Sequence, residues 1–207
     1  MAVQGQQHRS PGLRLLSLRR QKARVTSEGR SAAMATTAPA RVLAGVRLLT
    51  GFVFLWAFFD KTFGWGYATP SGQGWVQGGS PTKGFLSGVT VGPMESTFHN
   101  WAGNGWVDSL FMLGLLGIGI ALAGGILLRL SAVAGTFMMA LMWIAEWPPA
   151  KHLSDGSPSM STNPFADYHL VYAAVLVLLA VLYAGRAWGL GAWWERLPFI
   201  RRHRWLL

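Results

Sequence analysis

Six ionisable residues stand where apolar runs meet polar sequence: Asp60, Lys61, Asp108, Glu146, Asp167 and His169. An ionisable group at the edge of a membrane span is costly unless it is paired, hydrated or used. Free imidazole titrates close to neutral pH, which suits a histidine such as His169 to exchanging protons with a bound ligand such as a quinone. We read Asp60, Lys61, Asp167 and His169 as one proton-exchanging set, with Lys61 balancing the two carboxylates. Asp167 and His169 are two residues apart and share a helical face only if one of them lies in the cap. A plainer reading stays open for each: aspartates at helix starts cap N–H groups, and charges at span ends are solvated.

Aromatic residues flank these positions. Trp56 recurs with Phe52 and Phe59 on one face of the first apolar segment, and Trp143 with Trp147 on one face of the third. Trp56, Trp143 and Glu146 are the candidates for lining a quinone headgroup, although such rings also serve packing or face lipid. Two carboxylates and one histidine can hold a divalent ion, but the spacings HxxxH, HExxH and ExxH are absent, so no metal site is expected. No haem, flavin or nucleotide-binding motif occurs. The chain has no cysteine, which excludes a thiol nucleophile or a persulfide carried by it.

The elements that must position these residues follow from hydropathy. The run Leu110–Ala145 holds 36 residues and one charge, Arg129. As a single helix it would be about 54 Å long, against a hydrocarbon core of roughly 30 Å. Folded at Arg129, it makes two antiparallel spans. The predicted spans are Val42–Phe59, Leu110–Leu128, Leu130–Ala145 and Tyr168–Gly185. The expected fold is all-α: a polytopic membrane four-helix bundle with a long Gly/Trp-rich extracytoplasmic loop after the first span. Gly117, Ala121 and Gly125 recur every four residues, a spacing that allows close helix packing. The connection from Asp60 to Val107 carries 11 glycines and four tryptophans. Two short helices are expected in it, one capped by Ser80 and one after Pro93.

Residues 1–40 read as a disordered basic tail, with a possible amphipathic stretch at Gly12–Arg20. Met34 offers an alternative start. Residues 41–186 form the membrane domain and 187–207 a basic interfacial tail, with Trp188, Trp193 and Trp194 at headgroup level. Hydrophobic residues make up 51% of the chain and charged residues 13%, about half the charge of a soluble domain. The net charge of +10 reflects basic ends rather than a nucleic-acid surface. With four spans, 15 of 18 basic residues fall on the side of the termini and six of eight acids on the other. The positive-inside rule then places both termini in the cytoplasm and the chain in the plasma membrane. Arg41 and Arg47 are expected to snorkel to the headgroups.

In order along the chain stand Trp56-Ala-Phe-Phe-Asp60-Lys61, Gly79-Ser-Pro-Thr-Lys-Gly-Phe-Leu86, Gly92-Pro93, Asp108-Ser-Leu-Phe-Met-Leu-Gly-Leu-Leu-Gly117, Arg129-Leu-Ser-Ala-Val-Ala-Gly135 and Asn163-Pro-Phe-Ala-Asp167-Tyr-His169. With these motifs the segment 41–186 resembles the DoxX/DoxD family of small four-span membrane proteins. The resemblance implies a helical bundle and a subunit of a thiosulfate:quinone oxidoreductase, a two-subunit enzyme. The outer face sets three lysines against six acids, a poor field for attracting anionic thiosulfate. Two functions remain. One is an integral subunit of a quinone-linked oxidoreductase, related to sulfur compounds or redox defence. The other is a non-catalytic scaffold or assembly component of a membrane redox or respiratory complex. Expected partners are the bilayer, membrane or peripheral protein subunits and a possible second copy, with no nucleic acid.

The topology is directly testable. A reporter fused after Leu207 is expected to be active only in the cytoplasm, and one inserted at Ser157 only outside. Activity of both on the same side would rule out the four-span arrangement.

Overall fold

The computed structural model describes residues 37–207. The predicted tail, including Gly12–Arg20, lies outside these residues except for its last few. Among the described residues the chain is helical and has no strand; His152 and Pro158 make an isolated bridge.

Helix α1 (Ala38–Phe63) opens with Pro39 in its first turn, where a missing N–H costs nothing. Its 26 residues span about 39 Å. It stops at Gly64, whose left-handed φ of 64° lets its N–H reach the Asp60 carbonyl at 2.8 Å. Short helices α2 (Lys83–Ser87) and α3 (Glu95–Trp101) lie in the long connection. The first begins three residues after Ser80, whose Oγ accepts from Lys83 N at 3.1 Å. Then come α4 (Gly105–Gly124), α5 (Leu128–Glu146) and α6 (Tyr168–Val181). The expected tail 187–207 folds into α7 (Gly191–Trp194), α8 (Pro198–Arg202) and a final 3₁₀ turn.

Helices α1, α4 and α5 are long and apolar enough to cross a membrane. They are apolar around their whole circumference. Leu49, Leu113, Val133 and Phe137 point outward at 64–69% exposure, while Phe54, Met112, Leu115 and Met139 are buried. Helices of that kind belong in lipid. Helix α1 packs along α4, and α5 along α6; α4 against α5 joins the two pairs. One core draws Phe54, Leu122, Met139 and Leu176 from all four. A smaller core sets Leu86 and Phe98 of the connection against Ala145.

The structure corrects four details of the sequence reading. The hairpin predicted at Arg129 lies at 125–127. Gly125 takes φ 70°, and Ile126 N reaches the Ala121 carbonyl at 3.0 Å, a glycine-made helix stop. Arg129 is instead the second residue of α5 and donates to the Tyr183 hydroxyl and to the Arg204 carbonyl.

The regular part of the fourth segment ends at Val181 rather than Gly185. Its 14 residues cover about 21 Å. Tyr183 adopts φ 51° and Ala184 N bonds the Leu179 carbonyl at 3.1 Å, the same kind of stop without glycine. A left-handed non-glycine residue is disfavoured by about 1–2 kcal/mol. The guanidiniums of Arg129 and Arg186, 5.2 and 5.9 Å from the Tyr183 ring, hold it in place.

The close crossing of α1 and α4 is not on the Gly117 row. Gly117 has open space beside it, whereas a Cβ on Gly119 would lie 2.7 Å from Leu55 Cγ and one on Gly51 3.0 Å from Ala123 N.

Arg47 does not snorkel; it is fully buried. Its Nη1 donates to the carbonyls of Leu122 and Ala123, the latter at 2.9 Å, and its Nη2 to Trp188 at 2.8 Å and Ala187 at 3.3 Å. Together with Ile126 N on Ala121, Gly125 N on Leu122 and Leu190 N on Gly124, this satisfies all four carbonyls that the last turn of α4 leaves open.

The junction admits no side chain at Gly185, where a Cβ would collide with the Gly125 carbonyl. Gly185→Ala is expected to cost about 1–3 kcal/mol and lower the melting temperature in detergent by roughly 3–10 °C. Gly45→Ala, with nothing within 4 Å, is the control and should leave it unchanged.

Candidate functional site

The site is built where the end of α5 meets the start of α6. Asn163 Oδ1 accepts from Phe165 N and Ala166 N, both at 2.9 Å, turning the chain toward α6. Trp143 of α5 donates its indole N–H to the Phe165 carbonyl at 2.9 Å and packs against the Phe165 ring, fixing that turn to α5. Asp167 is the N-cap. Its Oδ1 accepts from Leu170 N at 3.1 Å, which leaves Oδ2 free to take His169 Nδ1 at 2.8 Å. Residues two apart meet here because one is in the cap. Asp167 therefore caps α6 with one oxygen and holds His169 with the other.

Glu146, the last residue of α5, completes the group. Its Oε2 is 3.9 Å from His169 Nδ1, and its Oε1 accepts from the Tyr168 hydroxyl at 2.5 Å. Exposure is graded: the side chain of Glu146 is 35% exposed, that of Asp167 14% and that of His169 1%. The far nitrogen, His169 Nε2, is buried with no hydrogen-bond partner; among the described residues only Arg47 Nε and Thr136 Oγ1 share that condition. A buried polar atom without a partner costs about 1–3 kcal/mol and calls for an explanation. Ligand atoms of Glu146, Asp167 and His169 all lie within 4.8 Å of one another, so the same trio has the span of a divalent-cation site. The sequence spacing gave no sign of such a grouping. Nor did it mark Tyr168, whose hydroxyl holds Glu146 and whose ring lies 4.0 Å from that of His169.

The hydrogen bonds divide the seven sequence candidates into two groups. Trp143, Glu146, Asp167 and His169 stand together. Trp56, Asp60 and Lys61 belong to the end of α1, and among the described residues no hydrogen bond or ion pair links them to the first group. Asp60 is buried and accepts from Thr69 N at 2.8 Å and Tyr67 N at 3.3 Å. Lys61 has its ammonium 5.9 Å from the Phe111 ring centre on α4. Trp56 packs against Trp65 at a tilt and against Tyr67 edge to face, both in the connection. Asp108, also buried, accepts from Thr82 Oγ1 at 2.6 Å, Ser80 Oγ at 2.9 Å and Thr82 N at 3.1 Å. Asp60 and Asp108 thus staple the glycine-rich connection to the ends of α1 and α4. On the other connection, the Asp155 carboxyl is held below its usual range by the hydroxyl and N–H of Ser157.

No protein-family model, curated protein or solved structure matches this chain.

Asp60→Ala removes the acceptor of two loop N–H groups while leaving the α5–α6 site untouched. Limited proteolysis in detergent is expected to cut residues 64–79 several-fold faster than in the parent. An unchanged cutting rate would show that Asp60 does not hold the connection.

Proposed function

We propose that this chain is an integral membrane subunit of a quinone-linked oxidoreductase, with Glu146, Asp167 and His169 as its proton-exchange site. The observation that carries this reading is the free, buried Nε2 of His169 behind the Asp167–His169 hydrogen bond. An imidazole held through Nδ1 by a carboxylate has its other nitrogen defined in direction and ready to donate or accept. A quinone carbonyl or hydroxyl is a partner of suitable polarity for a nitrogen facing the apolar interior. The resemblance of the motifs from Trp56 to His169 to the DoxX/DoxD family supports the same reading.

A bound quinone supplies a ring that takes up two electrons and two protons; the electrons come from a donor subunit. His169 holds the exchangeable proton at Nε2. Asp167 keeps the Nδ1 proton and stabilises the imidazolium when it forms. Glu146 reaches solvent and links the imidazole to outside water. The rising exposure from His169 to Asp167 to Glu146 gives protons a direction of travel. Trp143 acts through the turn it anchors, setting where Asp167 stands. In this reading Tyr168–Val181 and the turns after it make the fourth crossing, both termini are cytoplasmic and the site opens outside.

The scaffold reading has its own observation. Phe59, Phe63 and Trp65 stack on the exposed flank of α1 with centroids 5.9–6.3 Å apart, a surface fit for another membrane subunit. Purification in mild detergent separates the two: bound quinone favours the enzyme, and stoichiometric subunits without quinone favour the scaffold.

His169→Gln keeps polarity and removes titration. It is expected to remain folded and inserted, and to lose about 100-fold or more of quinone-linked turnover, the usual worth of a positioned acid–base group. Full turnover in this variant would remove His169 from the mechanism and leave the scaffold reading.

A further inference from the structure

The basic end of the bundle holds a second constellation, remote in sequence from the acidic end. A cavity of about 490 Å³ opens between the turn after α6 and the C-terminal helices, lined by Tyr183, Arg186, Glu195, Arg201 and Arg204 with Ile200 at its floor and Leu207 at its edge. Its charges are unbalanced. Glu195 is its only side-chain carboxylate, and Arg186 takes both of that carboxylate's oxygens at 2.8 and 2.9 Å. Arg201 and Arg204 make no ion pair among the described residues, with Glu195 or with the terminal carboxylate of Leu207. Arg129 stands just behind, its guanidinium bonded to the Tyr183 hydroxyl and the Arg204 carbonyl. That bond fixes the backbone of Arg204 and leaves its guanidinium available.

The surroundings define the kind of anion. Trp188, Trp193, Phe199 and Trp205 are each 55–62% exposed around the same end. Exposed tryptophans interleaved with arginines are the composition of a membrane–water interface, where rings lie at headgroup level. A planar guanidinium donates two parallel N–H bonds to a phosphate, so two unpaired guanidiniums lining one cavity can supply four such donors.

We propose that this cavity binds a phosphate group, that of an anionic phospholipid headgroup, between Arg201 and Arg204. The lipid chains then lie against the apolar flank of the bundle. The Arg186–Glu195 pair also lines the cavity, and Glu195 keeps Arg186 from competing for the anion.

The test uses the full chain in nanodiscs of phosphatidylcholine containing a minor fraction of phosphatidylglycerol, with native mass spectrometry counting the lipids retained. One phosphatidylglycerol per chain is expected to survive release. The double variant Arg201→Gln, Arg204→Gln should weaken its retention by about tenfold or more, a factor that two charge-assisted contacts readily supply. The double variant Arg196→Gln, Arg202→Gln removes the same charge from exposed positions outside the cavity and should weaken retention by less than about threefold. Equal losses in the two double variants would reduce the effect to general attraction to a basic surface and overturn the site. Retention of phosphatidylcholine as strong as that of phosphatidylglycerol would overturn it too. Inorganic phosphate is the third arm: if millimolar phosphate raises the melting temperature in detergent and no lipid is retained, the lipid source is refuted. The single variants Arg201→Gln and Arg204→Gln stand in if the double variant does not fold, each with a several-fold loss expected; no loss in either would refute the assignment.

Discussion

A guanidinium buried without an acid partner holds the membrane part of this protein together. Arg47 lies inside α1, at a depth where a lone charge is costly. It is stabilised by carbonyls alone. Two belong to the last turn of α4, the negative end of that helix dipole, and two to the segment after α6. The arrangement solves two problems at once, since a helix end in a low-dielectric setting has acceptors in excess and a buried arginine has donors in excess. The glycines at 125 and 185 exist to let the backbones come close enough for one side chain to reach both sets. The early stop of α6 and the left-handed Tyr183 follow from the same demand, because a continuous helix would carry Ala187 and Trp188 away from Arg47.

The other end of the bundle uses the opposite charge. Asp60, Asp108 and Asp167 stand at the ends of three different helices, and each accepts backbone N–H groups, Asp60 and Asp108 from the connection and Asp167 from the first turn of its own helix. Asp60 accepts on both oxygens from the glycine-rich connection, and Asp108 takes three bonds from it on Oδ1 alone. Asp167 divides its oxygens between a helix cap and His169. That division sets the α5–α6 junction apart as the place where one carboxylate serves both a helix cap and an imidazole.

Much of this was legible from residue types. The long apolar segments, the basic and acidic ends and the placement of ionisable groups at helix termini all follow from hydropathy and charge. The sequence reading set Glu146, Asp167 and His169 at the same end as Asp60, Lys61 and Asp108, without marking the three as a group. The partition of the outer cluster was not legible. Asp60 and Asp167 look alike in sequence, and only the path of the connection determines that one of them meets Tyr67 and Thr69 instead of a histidine. Arg47 was misread for a similar reason. An arginine about ten residues into an apolar helix has the stem length to reach the interface, and nothing local reveals that carbonyls from residues 122 to 188 converge on it. The turn at 125–127 was displaced from Arg129 because charge marks which side of the membrane a turn lies on, whereas glycine marks where the backbone can make it.

The separation between Arg47 and its acceptors has a consequence for how the protein is made. Its partners on α4 lie 75 residues later in the chain and those past α6 about 140 later. The α4 carbonyls can meet Arg47 once that helix is made, whereas the other two acceptors are absent until the segment after α6 follows. The locking of α1 is therefore completed in two stages, the second one late. The contact between α1 and the segment after α6 needs that segment to be present, so a chain cut before Ala187 keeps half of the guanidinium's acceptors.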